Sequence, residues 1–194
     1  EVLDLYRKVH TQRRPDKNKV HSLHEPGVLC IHKGKAGKKY EFGNKASIVW
    51  TKTTGVIVGA KSFTTNIYDG HSLPEVLHQV QEVTGKRPTL AICDRGYRGT
   101  KEVGGTEIEL PKKPKKEDSE YQKRKAREKF RRRSGIEAII SHIKHDHRML
   151  RNYLKGAVGD AINVLMAAAA FNFRKMIRAL DHFFVLFFNL QLRE

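Results

Sequence analysis

The sequence predicts an α/β fold, a sheet with helices packed on its faces. Three observations carry this: two strand-like runs joined by a Thr53-Thr-Gly55 turn, a short apolar run at 89–93 closed by Asp94, and long helical patterns on both sides of them. At 194 residues the chain is long enough for one domain with a real core.

Taken in order, Val2, Leu5, Tyr6 and Val9 recur at helical spacing, so residues 1–14 read as a short basic helix that Pro15 stops. Residues 20–40 are irregular and rich in His, Gly and Lys. Residues 40–50 then read as one strand with a bulge at Gly43, and 56–63 pairs back as the second arm of a hairpin. Trp50 and Phe63 suit core positions of that hairpin. A helix follows with Ser72 as N-cap, Leu73, Val76, Leu77 and Val80 on one face, and Gly85 as its end. Residues 89–93 form a buried strand, 94–99 a polar turn, 107–110 an edge strand and 111–116 a basic linker. A long helix spans 119–147 and a last one 160–180, where the Ala167–170 run allows close packing. The domain organisation expected is a basic helix and linker over 1–19, the main domain over 20–180 and an apolar tail over 181–194.

Charge narrows the function. A net charge of +17 with a pI near 10.0 points to a polyanionic partner, nucleic acid before membrane. From Pro111 to Arg133 there are 12 Lys or Arg against 4 acids, a run that leads straight into the 119–147 helix and reads as a phosphate-binding surface. Lys112, Lys113, Lys115, Lys116, Arg131 and Arg132 are its candidate contacts. The 2 cysteines, Cys30 and Cys93, lie far apart and form neither a disulfide framework nor a zinc site, which fits a reducing, cytosolic environment. His142, His145 and His147 lack cysteine partners and read as surface or phosphate-facing groups. The apolar run 183–188 falls short of the roughly 20 residues that a membrane span needs. No signal peptide is visible. The chain begins with Glu rather than Met, which leads us to expect a fragment.

Two carboxylates stand out. Asp94 lies just beyond the end of a strand, where open sheets place reactive groups. Glu137 shares a helical stripe with Arg133 and Lys144, the three falling within roughly 40° on the wheel. Beside them run Ile136, Ile139, Ile140 and Ile143. Carboxylates brought together repel and call for a cation, and hard oxygens suit Mg²⁺ or Mn²⁺. Such a pair supports phosphoryl transfer, with Arg133 and Lys144 on DNA phosphates. The same residues also fit ordinary solvated helix and turn positions.

The segments Tyr40-Glu-Phe-Gly-Asn-Lys45, Asp69-Gly-His71, Asp94-Arg-Gly-Tyr-Arg-Gly99, 136–149 and 154–165 resemble the C-terminal part of DDE-type transposases of bacterial insertion sequences, over nearly the whole chain. That resemblance implies a ribonuclease-H-like mixed sheet with flanking helices and an Asp-Asp-Glu triad binding two Mg²⁺. It also implies double-stranded DNA with terminal inverted repeats as substrate, a homodimer in the synaptic complex, no membrane partner, and a bacterial cytoplasmic, nucleoid-associated setting. Asp94 takes the place of the second Asp and Glu137 that of the Glu, as catalytic and metal-binding residues. The family's Tyr, Arg, Glu and Lys signature keeps its spacing at Phe130, Arg133, Glu137 and Lys144, Phe130 having lost the hydroxyl.

The first Asp has no counterpart: Asp4 falls in a helical pattern and Asp16 in a Pro-containing loop. The expectation is a chain lacking the first central strand and its carboxylate, with unpaired backbone on the strands that would flank it. A non-catalytic basic nucleic-acid-binding protein and a ribonuclease-H-like nuclease acting on other substrates stay open as alternatives.

Overall fold

A computed structural model describes residues 1–32, 37 and 39–191. Part of the His-, Gly- and Lys-rich segment at 20–40 lies outside them. The described chain is a mixed α/β protein whose strands form three small sheets rather than one. Helix α1 (Val2–Thr11) comes first and buries no residue. Strands β1 (Cys30–His32) and β2 (Tyr40–Phe42) pair antiparallel, so the irregular segment contributes a strand the sequence pattern did not suggest. The expected strand at 40–50 is two strands. Gly43, at φ 147°, breaks the run and donates its N–H to Leu29 O at 3.0 Å.

Strand β3 (Lys45–Trp50) pairs antiparallel with β4 (Ile57–Phe63) as the expected hairpin, with an irregularity at Val49/Trp50. Between them Gly55 turns at φ 64°, a left-handed conformation that glycine adopts without strain. Helix α2 (Asp69–Thr84) starts earlier than expected: Tyr68 is its N-cap, and Ser72 lies inside the helix. Ser72 is 1% exposed, and a buried hydroxyl needs partners. It donates to Asp69 O at 2.7 Å and meets Ser47 Oγ at 3.0 Å. Gly85, at φ 69°, closes the helix as expected.

The third sheet contains β5 (Leu90–Ile92), β6 (Glu102–Val103) and β7 (Thr106–Glu109) in the order β5-β7-β6. The segment expected as an edge strand is therefore the central one, parallel to β5 and antiparallel to β6. Gly104 and Gly105, at φ 54° and 86°, make the two-residue turn that folds β6 back on it.

Helix α3 (Glu120–His145) opens with a reciprocal cap: Ser119 Oγ accepts from Gln122 N while Gln122 Oε1 accepts from Ser119 N. Helix α4 (Gly156–Gln191) is far longer than the 160–180 segment expected, and it absorbs the described part of the supposed tail at 181–194 without a break.

One core joins Ile57 and Ala60 of β4 to Ile139 and Ile143 of α3 and to Val164, Ala167 and Ala168 of α4. The Ala run packs as expected, and Trp50 lies against the same cluster while Phe63 is buried. A second core joins Leu73 and Leu77 of α2 to Ile108 of β7. Helix α2 links the two, since Val76 and Val80 crowd Gly59 of β4 so closely that a Cβ there would stand 2.9 Å from Val80.

The outer edge of β4 is capped at two residues. Asn172 of α4 accepts from Ile57 N at 2.9 Å and donates to Ile57 O at 2.8 Å, and Gln79 of α2 does the same for Ala60 at 2.8 and 3.2 Å. Side-chain amides thus take the place of a neighbouring strand. By length and composition Gly156–Val185 could cross a membrane, yet Val164, Ala167 and Ala168 on it are buried against the hairpin and α3.

Candidate active site and nucleic-acid surface

Asp94 caps a 3-10 turn, Arg95–Tyr97, that leaves the end of β5, and its Oδ1 accepts from Gly96 N at 2.8 Å. The side chain is exposed. Gly96 is wedged between two acids: a Cβ there would stand 2.2 Å from Asp69 Oδ2 and 3.0 Å from Asp94 Oδ1. Asp69 begins α2, and its other oxygen holds Lys45 Nζ at 2.6 Å, both side chains half-buried. Lys45 also donates to Ile67 O. Of the two carboxylates at this turn, that of Asp69 is balanced by an ammonium group from β3.

Beneath the turn, Tyr97 is raised above its ordinary pKa, first by burial, with hydrogen bonds to Ser47 and Ser72 opposing the rise. Burial, and then the charge of Asp94, push the Cys93 thiol up to about 12. Cys93 is therefore a protonated, free thiol at neutral pH, and Cys30 is free and exposed.

Glu137 lies on α3, exposed, with Oε1 3.1 Å from Arg133 Nη2. Arg133 also lies over the Phe130 ring at 5.1 Å, and its buried Nε has no hydrogen-bond partner among the described residues. Phe130, Arg133 and Glu137 therefore act as one contiguous group, stacked and ion-paired. Arg132 pairs with Glu128 one turn earlier, and Lys144 is half-buried. Gly135 brings α3 against β3, where a Cβ would stand 3.2 Å from Trp50.

No hydrogen bond or ion pair among the described residues joins Asp94 to Glu137. Their elements are connected through Glu109. Its O accepts from Cys93 N at 2.9 Å, beside Asp94, and its carboxylate pairs with Lys129 of α3. Among the described residues no group of three or more His, Cys, Asp or Glu is placed to hold a metal ion.

The basic linker runs alongside α3. A groove of about 480 Å³ is lined by Lys113, Pro114, Arg127, Phe130, Arg131 and Ser134. Lys112, Lys115 and Lys116 are exposed next to it, and Asp118 fixes the linker by accepting from Lys115 N at 2.7 Å. Of the three clustered histidines, His142 bonds Asp146 at 2.9 Å, and Asp146 in turn pairs with Arg174 of α4 at 2.9 Å.

Sequence reasoning missed Asp69, Lys45, Glu109 and Lys129. Asp69 and Lys45 had a signal, since the Asp69-Gly-His71 and Tyr40–Lys45 segments both belong to the resemblance.

Acidic groups thus stand at a strand end that Glu109 ties to a helix rich in cations. The family of the chain is a definite one: the transposase DDE domain family matches residues 9–173, and the chain belongs to it. No curated protein and no solved structure matches the chain.

Proposed function

We propose that the chain carries the second and third acidic positions of a transposase that cuts and joins DNA strands at the terminal inverted repeats of an insertion sequence, on a ribonuclease-H-like core. The observation that supports this most directly is the lysine- and arginine-lined groove beside the helix that bears Glu137. That helix is connected through Lys129 and Glu109 to the strand end that bears Asp94.

The donor set suits a hard divalent cation. Asp94 is exposed with one oxygen held by Gly96 N, and both acids offer carboxylate oxygens of the type Mg²⁺ prefers, with Mn²⁺ as substitute. Asp94 and Glu137 would hold it, and when bound it would lower the pKa of an attacking water or 3′-hydroxyl and neutralise charge at the phosphate.

The chain's own groups do the rest. Lys113, Arg127 and Arg131 hold the strand by its phosphates, and Arg133 sets the orientation of Glu137. Phosphate contacts of this kind position DNA without reading its bases. A homodimer would bring two terminal repeats together.

A second reading has one specific observation in its favour: Glu137 is engaged by Arg133, as in a structural ion pair, which suits a non-catalytic DNA-binding protein. The two readings diverge on Asp94→Ala and Glu137→Ala. The catalytic reading expects Mn²⁺ binding in calorimetry to be lost while affinity for inverted-repeat duplex is kept. Unchanged Mn²⁺ binding in both variants, or none in the parent chain, rejects it.

A further inference from the structure

The long helix α4 is amphipathic twice over. Its inner side buries Val164, Ala167 and Ala168 in the core. The outer side, roughly 160° around the wheel, carries a second apolar stripe whose large side chains are exposed. Ile162, Ala169, Met176 and Phe183 recur on it every seven residues. Met166, Phe173, Leu180 and Phe187 follow each of them by four.

This is the a and d seam of a heptad pattern, kept through four repeats with no polar residue at either position. A helix that only covers its own core needs one apolar face, and a helix lying on lipid needs an apolar face but no seven-residue register. A strict register is what a second helix selects, because knobs must meet holes at the same interval on both.

We propose that this outer face of α4 is the dimerisation surface of the chain, occupied by α4 of a second copy. The proposal deepens the two-copy assembly suggested above by naming its surface, and it rests on that reading only for the number of copies. The area is sufficient. The seven large seam side chains are 45–65% exposed, and Leu165, Ile177 and Phe184 flank them. At about 100 Å² each when covered, they supply roughly 1,000 Å² per copy, above the about 800 Å² per partner typical of a stable complex.

The charges also permit it. Arg174, Lys175, Arg178 and Asp181 all lie roughly 110° or more from the centre of the seam, so the two strongly basic chains meet along their uncharged sides. Part of the seam, Ile162 to Ala169, shares its turns with the residues packed on the hairpin, so the partner helix would be held at a fixed angle to the DNA-binding body.

Sedimentation of the full chain without DNA or divalent metal, at 0.5 M salt, tests this. The expected result is a dimer at tens of micromolar, converted to monomer by Phe173→Glu with Leu180→Glu while circular dichroism and DNA binding per chain are kept. A register test stands beside it in a Cys30→Ser background. Cysteine at Met176 should cross-link two chains on oxidation, and cysteine at Arg178, two residues on and off the seam, should not. A monomeric parent chain, a dimer that survives the double substitution, or equal cross-linking at both positions overturns the proposal. So does flotation with anionic vesicles that the double substitution abolishes while sedimentation is unmoved. Loss of Mn²⁺ binding in the Asp94 and Glu137 variants is read separately, so either proposal can fail without the other.

Discussion

Asp69 and Asp94 face each other across Gly96, which has no side chain to keep them apart, and Lys45 is the cation that holds Asp69 there. Lys45→Met is expected to cost about 1–2 kcal/mol, between the values for exposed and buried pairs, because it removes the cation paired with Asp69 at a turn that also holds Asp94. Adding Asp69→Asn should recover most of that loss. Urea denaturation of the two single variants and the double variant forms the cycle, and additive losses would mean that the pair carries no coupling.

The groove between the linker and α3 has a quantitative signature. If Lys113, Arg127 and Arg131 each neutralise one DNA phosphate, replacing any of them by Ala lowers the slope of log K against log salt by about 0.9. Binding should weaken alike for cognate and unrelated duplexes. Fluorescence anisotropy from 50 to 300 mM salt measures it, and an unchanged slope would remove the groove from the DNA path.

Acid should loosen the joint between α3 and α4 in two stages. His147 is held below its ordinary value near 6.5, chiefly by burial and then by the charge of Arg174. The unfolded chain therefore binds more protons just below that value, and stability falls as pH drops through it. Asp146 is held below its ordinary 3.8, first by the hydrogen bond from His142 and also by Arg174. Its contribution is intact above that value and lost as pH falls through the lower folded one. Thermal melts from pH 7.5 to 3 should show both stages. His147→Phe should remove the first, and Asp146→Asn the second.

The two thiols should react very differently. Cys30 is exposed and should alkylate within minutes at pH 8, whereas Cys93, raised to about 12, should react far more slowly. Asp94→Asn removes the smaller of the two causes, so it should speed Cys93 labelling at alkaline pH without making it match Cys30. Mass spectrometry after timed quenching separates the sites.

What the sequence made legible was local. The hairpin, α2, the strand ahead of Asp94 and the body of α3 follow from periodicity, turn residues and caps, each decided within a few neighbours. The two residues of β6 were too few to show a period, and β7 was therefore taken for an edge. Ser72 was misplaced because a serine near a helix start reads as a cap, while its real partner, Ser47, lies 25 positions away. Long-range pairs such as Lys45 with Asp69 and Lys129 with Glu109 leave no trace in spacing. The pairing of Arg133 with Glu137 was readable because both lie on one stripe of one helix, whereas Phe130 entered only through the family signature. Whether Asp94 and Glu137 act together depends on how separate elements sit, which no single helix wheel contains.

Gln79 and Asn172 were also unreadable, since an amide in an amphipathic helix looks solvent-facing until the neighbouring backbone is known. Each is a two-pronged plug, giving one donor and one acceptor to β4. An incoming polypeptide cannot extend the hairpin on that side without evicting both, and neither helix can slide one residue along β4 without unplugging its own. The pair therefore serves at once as a guard against fibre-like stacking and as a ruler that fixes how far α4 protrudes.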